Sequence, residues 1–379
     1  MRFALARTVE LLDDVVASDA TRPVRPWMWG PALLGLALAE VETAVGDRGY
    51  EAWLARFADH HLERGALPVS ADTIAPALVT AELARRTGES RYARATDRAL
   101  AAVRAEEPLG GPPGGGAANH LGTSGYSRFY PRSVWVDSLM MVGVLAAREG
   151  AARGDERLTA TAAAMPGAFA DLLQDPVTGL WAHSWWAPGR FGGAHGRRYP
   201  RVAWARGNAW VVAALPAILE VVGSGPPAGP GSPAGRPDPV ADGASRPVEL
   251  ARAVDVLGST SAAIRRRQRP DGTWPTLLEP SGGYRELSAT ALVAGGWLRA
   301  VRLGLLEESY VVPARRALAA VVGAVDRRHG RWSLPEVSGP TIPLPVLPRA
   351  GYLAVRPGRD HPWGLAALAL AAIEDDRLA

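Results

Sequence analysis

The chain contains no cysteine and no lysine in 379 residues. The missing thiols exclude disulfides, thiolate metal sites and a cysteine nucleophile. The missing lysine leaves arginine as the whole basic complement, a bias that GC-rich codon usage explains. The net charge of +4 is too small to suggest nucleic acid, and no arginine run is interleaved with aromatics as such a surface needs. It is compatible with a small anionic substrate. Uncharged apolar runs are also short: none reaches the roughly 18 residues of a membrane span, so no membrane association is expected. The start, Met1 to Thr8, lacks an apolar signal-peptide core, which points to a cytoplasmic protein. Strand signals, meaning period-2 runs rich in Val, Ile and Thr, are almost absent.

What is present is helical periodicity nearly throughout. Helices are expected near 2–18, 31–44, 48–63, 72–87, 90–106, 136–149, 158–173, 206–222, 247–268, 288–303, 310–328 and 362–375. Every second one, beginning with 31–44, is apolar almost all round, as in Ser138–Ala147 and Gly364–Leu370, and must be buried on every face. The others carry a charged stripe, such as Arg91, Arg94, Arg98 and Arg104. This alternation describes an inner and an outer ring of antiparallel neighbours, an all-α (α/α)6 barrel spanning residues 1–379 as one domain. Loops entering the inner helices, 107–135, 174–205, 269–287 and 329–361, are long and aromatic; those leaving are mostly short. The segment 223–246, rich in Gly, Pro, Ser and Ala, reads as a disordered insertion at the opposite end.

Chemistry-bearing residues gather where inner helices begin. Asp72, Asp137, Arg206, Glu286, Ser288 and His361 all fall there, and the barrel would bring them to one mouth. Asp72 has an equally good reading as a helix N-cap. Asp137 lies between Trp135 and a fully apolar run, a costly place for a carboxylate without a task. Arg206 near a helix N-terminus opposes the helix dipole, which favours a functional partner. Glu286 could simply pair with an arginine, and Ser288 could cap or pack. His183 lies among aromatics and His120 in a Gly-rich loop. Eleven of the thirteen tryptophans, all but Trp53 and Trp297, lie in or beside the mouth loops. Trp29, Trp135, Trp204 and Trp210 are candidate sugar-stacking rings, because indole offers an apolar face and an N–H donor. No His-Glu-x-x-His set, nucleophile elbow or phosphate-cradling glycine loop occurs, so neither a metal nor another cofactor is expected. Carboxylates, arginine and histidine at an aromatic mouth suit acid–base work on a small acidic oligosaccharide.

These blocks resemble the unsaturated glucuronyl and rhamnogalacturonyl hydrolases of glycoside hydrolase families 88 and 105. The resemblance rests on Trp27-Met28-Trp29-Gly30, Asp72-Thr73-Ile74-Ala75-Pro76, Val134 to Met141, Asp175 to His183, Trp204-Ala205-Arg206-Gly207-Asn208-Ala209-Trp210 and Glu286 to Ala291, in the family's order. It implies an (α/α)6 barrel that removes a 4,5-unsaturated uronic acid from the non-reducing end of lyase products by hydrating its double bond. It places the general acid/base on Asp137 and a second carboxylate on Asp72. It puts His183, Trp204 and Arg206 against the sugar. The chain departs from the family pattern at 107–130, which bears on His120, and at 331–361. An apolar mouth is expected to raise the pKa of Asp137 toward that of a working acid. Two other readings fit the barrel: a sugar epimerase or isomerase using His183 with His361 or His120, and a non-catalytic sugar-binding barrel.

Overall fold

Apolar helices alternating with one-sided ones have a single economical packing, in which the first kind is enclosed by the second. The computed structural model describes residues 1–109, 117–223, 248–279 and 281–379. In chain order the helices are α1 (Phe3–Ala20), α2 (Trp29–Val45), α3 (Tyr50–Leu62), α4 (Ala71–Ile74), α5 (Ala77–Thr87), α6 (Ser90–Ala105), α7 (Val144–Arg153), α8 (Glu156–Leu173), α9 (Ala205–Val222), α10 (Val248–Arg265), α11 (Leu287–Arg302), α12 (Val311–Ala324), α13 (Pro348–Ala354) and α14 (Pro362–Arg377). The inner ring runs α2, α4–α5, α7, α9, α11 and α14, and α14 closes it by packing on α2. The outer ring is α1, α3, α6, α8, α10 and α12, so the fold is the (α/α)6 barrel. Helix α9 is long and apolar enough by composition to cross a membrane, but α7, α8, α10 and α11 pack around it.

Three details depart from the sequence reading. The expected helix 72–87 is split into α4 and α5 around Ala75 and Pro76, because proline lacks the N–H that continues a helix. The expected helix 136–149 begins only at Leu139, as a π-helical turn Leu139–Gly143 leading into α7. Short strands also form where no period-2 pattern exists. The mouth loops give the antiparallel sheet β1 (Ser133–Trp135), β2 (Ser184–Trp186) and β3 (Arg197–Tyr199). Two smaller pairs are β4 (Asp326–Arg328) with β5 (Arg331–Ser333) and β6 (Val337–Ser338) with β7 (Pro357–Gly358). The Gly/Pro-rich stretch 223–246 lies, but for Gly223, outside the described residues.

The end opposite the mouth is closed by ion pairs. Glu374 of α14 is buried and bonds Arg299 Nε at 3.0 Å, Arg302 Nε at 2.7 Å and Arg377 Nη1 at 3.0 Å. Burial pushes the Glu374 carboxyl up, but the three guanidiniums outweigh it and hold it below the usual range. A cavity of about 380 Å³ beside them is lined by Glu40, Arg148 and Arg299.

Candidate active site

The sheet built from the mouth loops sets the central contact. Trp135 pairs with Ser184, and Val136 N donates to His183 O at 2.9 Å. Asp137 and His183 therefore leave the sheet side by side, with Asp137 Oδ2 3.2 Å from His183 Nε2. The two atoms face each other without hydrogen-bond alignment, and neither has a hydrogen-bond partner among the described residues. The Asp137 carbonyl accepts from Met140 N at 3.0 Å and Met141 N at 3.1 Å, fixing it at the head of the π-helical turn. Such turns recur at functional sites because they re-aim the residues beside them.

A second carboxylate–histidine pair adjoins the first. His120 N donates to Ser133 O at 2.9 Å, and Ala71 N donates to His120 O at 2.9 Å, so the loop ties α4 to β1. His120 Nε2 lies 3.4 Å from Asp72 Oδ1, and its Nδ1 is 2.8 Å from Ser138 Oγ. Its ring stacks on Trp135 at 4.5 Å, and His183 meets Trp135 edge-on at 5.1 Å. The N-cap of α4 is Ser70, in a capping box with Thr73, which leaves the Asp72 carboxylate free of that duty.

The Trp204-Ala205-Arg206-Gly207-Asn208 block is a mechanical junction. Asn208 accepts from Trp181 N at 2.8 Å and donates to Trp181 O and Trp204 O. Gly207 lies under Trp204, where a Cβ would come within 2.7 Å of the indole. Arg206 is fully buried beneath Trp204 and Trp363, with its guanidinium carbon 4.7 and 5.5 Å from their ring centres. Its two Nη atoms donate to Ser338 O, Gly339 O and Thr341 Oγ1, so Arg206 holds the segment after β6 in place. Its Nε has no partner among the described residues.

Glu286 and Ser288 build the cap of α11. Glu286 is fully buried and N-caps α11, accepting from Ser288 N, Ala289 N and Ser288 Oγ, and also from Ser338 N at 2.9 Å. Its oxygens are consumed by the cap, and Ser288 is consumed with them. Arg206 Nη1 stands 3.9 Å from this carboxylate, so Glu286 supports Arg206 from behind.

Several mouth tryptophans form an aromatic wall in two clusters, Trp29, Trp210 and Trp363 with His361 and Trp135 and Trp204 with His183, bridged by Arg206 over Trp204 and Trp363. Trp27 stacks on Phe57, Trp332 on Arg7, and Trp181 and Trp274 bond Thr260 Oγ1 and Ile264 O, all as packing rather than wall. Tyr352 of α13 escaped the sequence reading because it sits in a Pro-rich loop without periodicity. Its hydroxyl lies 2.8 Å from His183 Nδ1, and its ring lies 6.0 Å from that of Trp204. Tyr130 and Tyr199 donate to Pro343 O and Leu344 O, so the segment leading to α13 is fastened over the wall.

The electrostatics reverse one expectation. Burial does push the Asp137 carboxyl up, but His183, His120 and Arg206 together outweigh it and hold it below the ordinary value. Burial pushes the His183 imidazole down, with His120 and Arg206 acting in the same direction and Asp137 against it. Among the described residues, no group of three or more His, Asp or Glu side chains is arranged to hold a metal ion.

The chain and its fold have known relatives. The chain is 28% identical over 352 residues to the unsaturated rhamnogalacturonyl hydrolase YesR of Bacillus subtilis, covering 92% of this chain and 89% of that protein. Its structure resembles a possible glycoside hydrolase family 105 member from Klebsiella pneumoniae, with TM-score 0.77 and 24% identity, covering 100% of this chain and 95% of the other. It also resembles the unsaturated glucuronyl hydrolase of Bacillus sp. GL1, with TM-score 0.71 and 16% identity, covering 99% and 96%. Residues 5–379 match Glycosyl Hydrolase Family 88 from end to end of the barrel, and the chain belongs to that family.

Proposed function

We propose that this enzyme removes a 4,5-unsaturated uronic acid from the non-reducing end of small oligosaccharides by hydrating the double bond. The observation that carries the reading is a set of buried, unsatisfied polar atoms around Asp137. Arg206 Nε, Trp204 Nε1 and Trp210 Nε1 all lack hydrogen-bond partners among the described residues. Buried donors without acceptors are costly, and an oxygen-rich anionic sugar satisfies them while its ring stacks on indole.

In this reading Asp137 is the general acid. Its proton passes to C4 while the C4=C5 electron pair forms the new C–H bond, leaving an oxocarbenium-like centre at C5. Water adds at C5, its proton returning to Asp137, and the resulting hemiketal opens and releases the rest of the chain. Asp72, held against His120, binds ring hydroxyls or places the water. Arg206 and the histidines keep Asp137 ionised in the free enzyme; an anionic uronate set against them cancels part of that pull and raises the carboxyl toward a working acid. Asp137, His183, Trp204 and Arg206 are all buried, and in this reading substrate reaches them by displacing the segment that carries α13.

The test is to follow the ene-carboxylate absorbance of lyase-digested uronate polymers. The enzyme should bleach it, and Asp137→Asn should lower turnover on the order of a hundredfold to ten-thousandfold while retaining substrate binding. Cleavage of the saturated uronoside at a comparable rate would point instead to an ordinary glycosidase.

A further inference from the structure

His183 presents Nε2 to Asp137, and its other nitrogen is met by a residue 169 positions away: Tyr352, whose hydroxyl lies 2.8 Å from Nδ1. Both rings are buried, His183 to 1% and Tyr352 to 2% exposure. A neutral imidazole carries one proton, and the partner of one nitrogen decides where it sits. We infer that Tyr352 is a positioning residue for the hydration step: its O–H donates to His183 Nδ1, keeps the ring neutral, and leaves the ring proton on Nε2, the nitrogen that faces Oδ2 of Asp137.

This inference rests on the proposed role of Asp137 as acid, and it adds which oxygen carries the catalytic proton. With Nε2–H on the side of Oδ2, 3.2 Å away, the proton of the carboxylic acid is left on Oδ1. When Oδ1–H passes to C4, the carboxylate that forms has a donor beside Oδ2 ready to align with the growing charge. An imidazolium in the same place would hold Asp137 ionised more strongly still, against the uptake of the proton it must give. The phenol remains a donor at all working pH values, because burial raises it well above the usual tyrosine range, with Tyr130, Asp137 and Tyr199 adding to the effect. The groups acting on His183 are Asp137, His120 and Arg206, with Trp135 at its edge and Trp204 on its face.

Tyr352→Phe keeps the ring and removes only the hydroxyl. Turnover should fall about tenfold, the scale of one buried hydrogen bond, with KM within about twofold. The acid limb of kcat should move to higher pH, because an unoccupied Nδ1 lets His183 take a proton more readily. A purely packing role leaves turnover and pH profile unchanged, and that result overturns the inference. A melting curve on the variant identifies any loss caused by misfolding. Nitrogen NMR of ¹⁵N-histidine-labelled wild type, with His183 assigned from a His183→Gln difference, reads the tautomer directly. The expected signature is an unprotonated Nδ1 and a protonated Nε2; the reverse overturns the inference. Should the wild type leave unsaturated uronates untouched, the proposed function falls, whereas the NMR result still decides the Tyr352–His183 arrangement.

Discussion

At the residue scale, Arg206 shows how a cation can be both buried and useful. Its forked guanidinium matches two backbone carbonyls and a threonine hydroxyl at once, which a lysine ammonium cannot do. Arg206→Lys should therefore loosen residues 338–341 as well as weaken substrate binding. The expected result is a raised KM together with a lower melting temperature; wild-type values for both would remove Arg206 from the site. The depressed Asp137 carboxyl sets a pH dependence with a definite sign. In the free enzyme the protonated fraction grows as pH falls, so kcat/KM should rise from neutral pH toward acid. Because bound uronate raises the same carboxyl, the alkaline limb of kcat should lie at higher pH than that of kcat/KM. Coincident limbs would contradict the electrostatic coupling. Asp137, Arg206 and the Trp204 block stood out in the sequence because each sets a polar side chain against an apolar run. Nothing comparable marked Tyr352, and the duties of Glu286 as cap and brace became visible only with Ser338 beside it.

At the element scale, the segment 339–354 is the part that the proposed function needs to move. It is fastened by the hydroxyls of Tyr130 and Tyr199 to Pro343 O and Leu344 O, at 2.6 and 2.8 Å. Tyr199→Phe removes one fastening of about 1 kcal/mol, so the open form should gain roughly fivefold in population. Faster amide hydrogen exchange across 342–353 would register it, and unchanged exchange would show that the hydroxyl carries no load. The helices themselves were legible because a fully apolar helix and a striped one differ in every turn. The strands β1 to β3 were not, since three-residue strands carry no readable period, and their pairing partners lie in separate loops.

At the scale of the whole molecule, the barrel depends on charges buried at the end opposite the mouth. Glu374→Ala would leave Arg299, Arg302 and Arg377 without their shared carboxylate, at an expected cost of about 3–5 kcal/mol. An unfolding free energy from denaturant titration lowered by less than about 1 kcal/mol would show that Glu220 and Glu40 take over the pairing. The pH dependence of stability should have two stages. The His183 ring is neutral in the fold and titrates near 6.5 when unfolded, so stability erodes as pH drops below about 6.5. Glu374 is depressed from 4.5, so its contribution is present above that value and is lost as pH falls through the lower folded one. A melting temperature flat from pH 7 to 5 would contradict the first stage.

The sequence by itself determined the double ring of helices and the end of the barrel at which Asp72, Asp137, His183 and Arg206 gather, because apolar periodicity and loop length are local properties of the chain. Only the tertiary structure decided which of those side chains touch. The pairing of β1 with β2 brings Asp137 to His183, the loop through His120 brings Asp72 to Trp135, and α13 delivers Tyr352 from 169 residues away. It also decided the sign of the Asp137 shift. Burial alone pushes a carboxyl up, and which charges stand beside it is fixed by packing between elements remote in sequence.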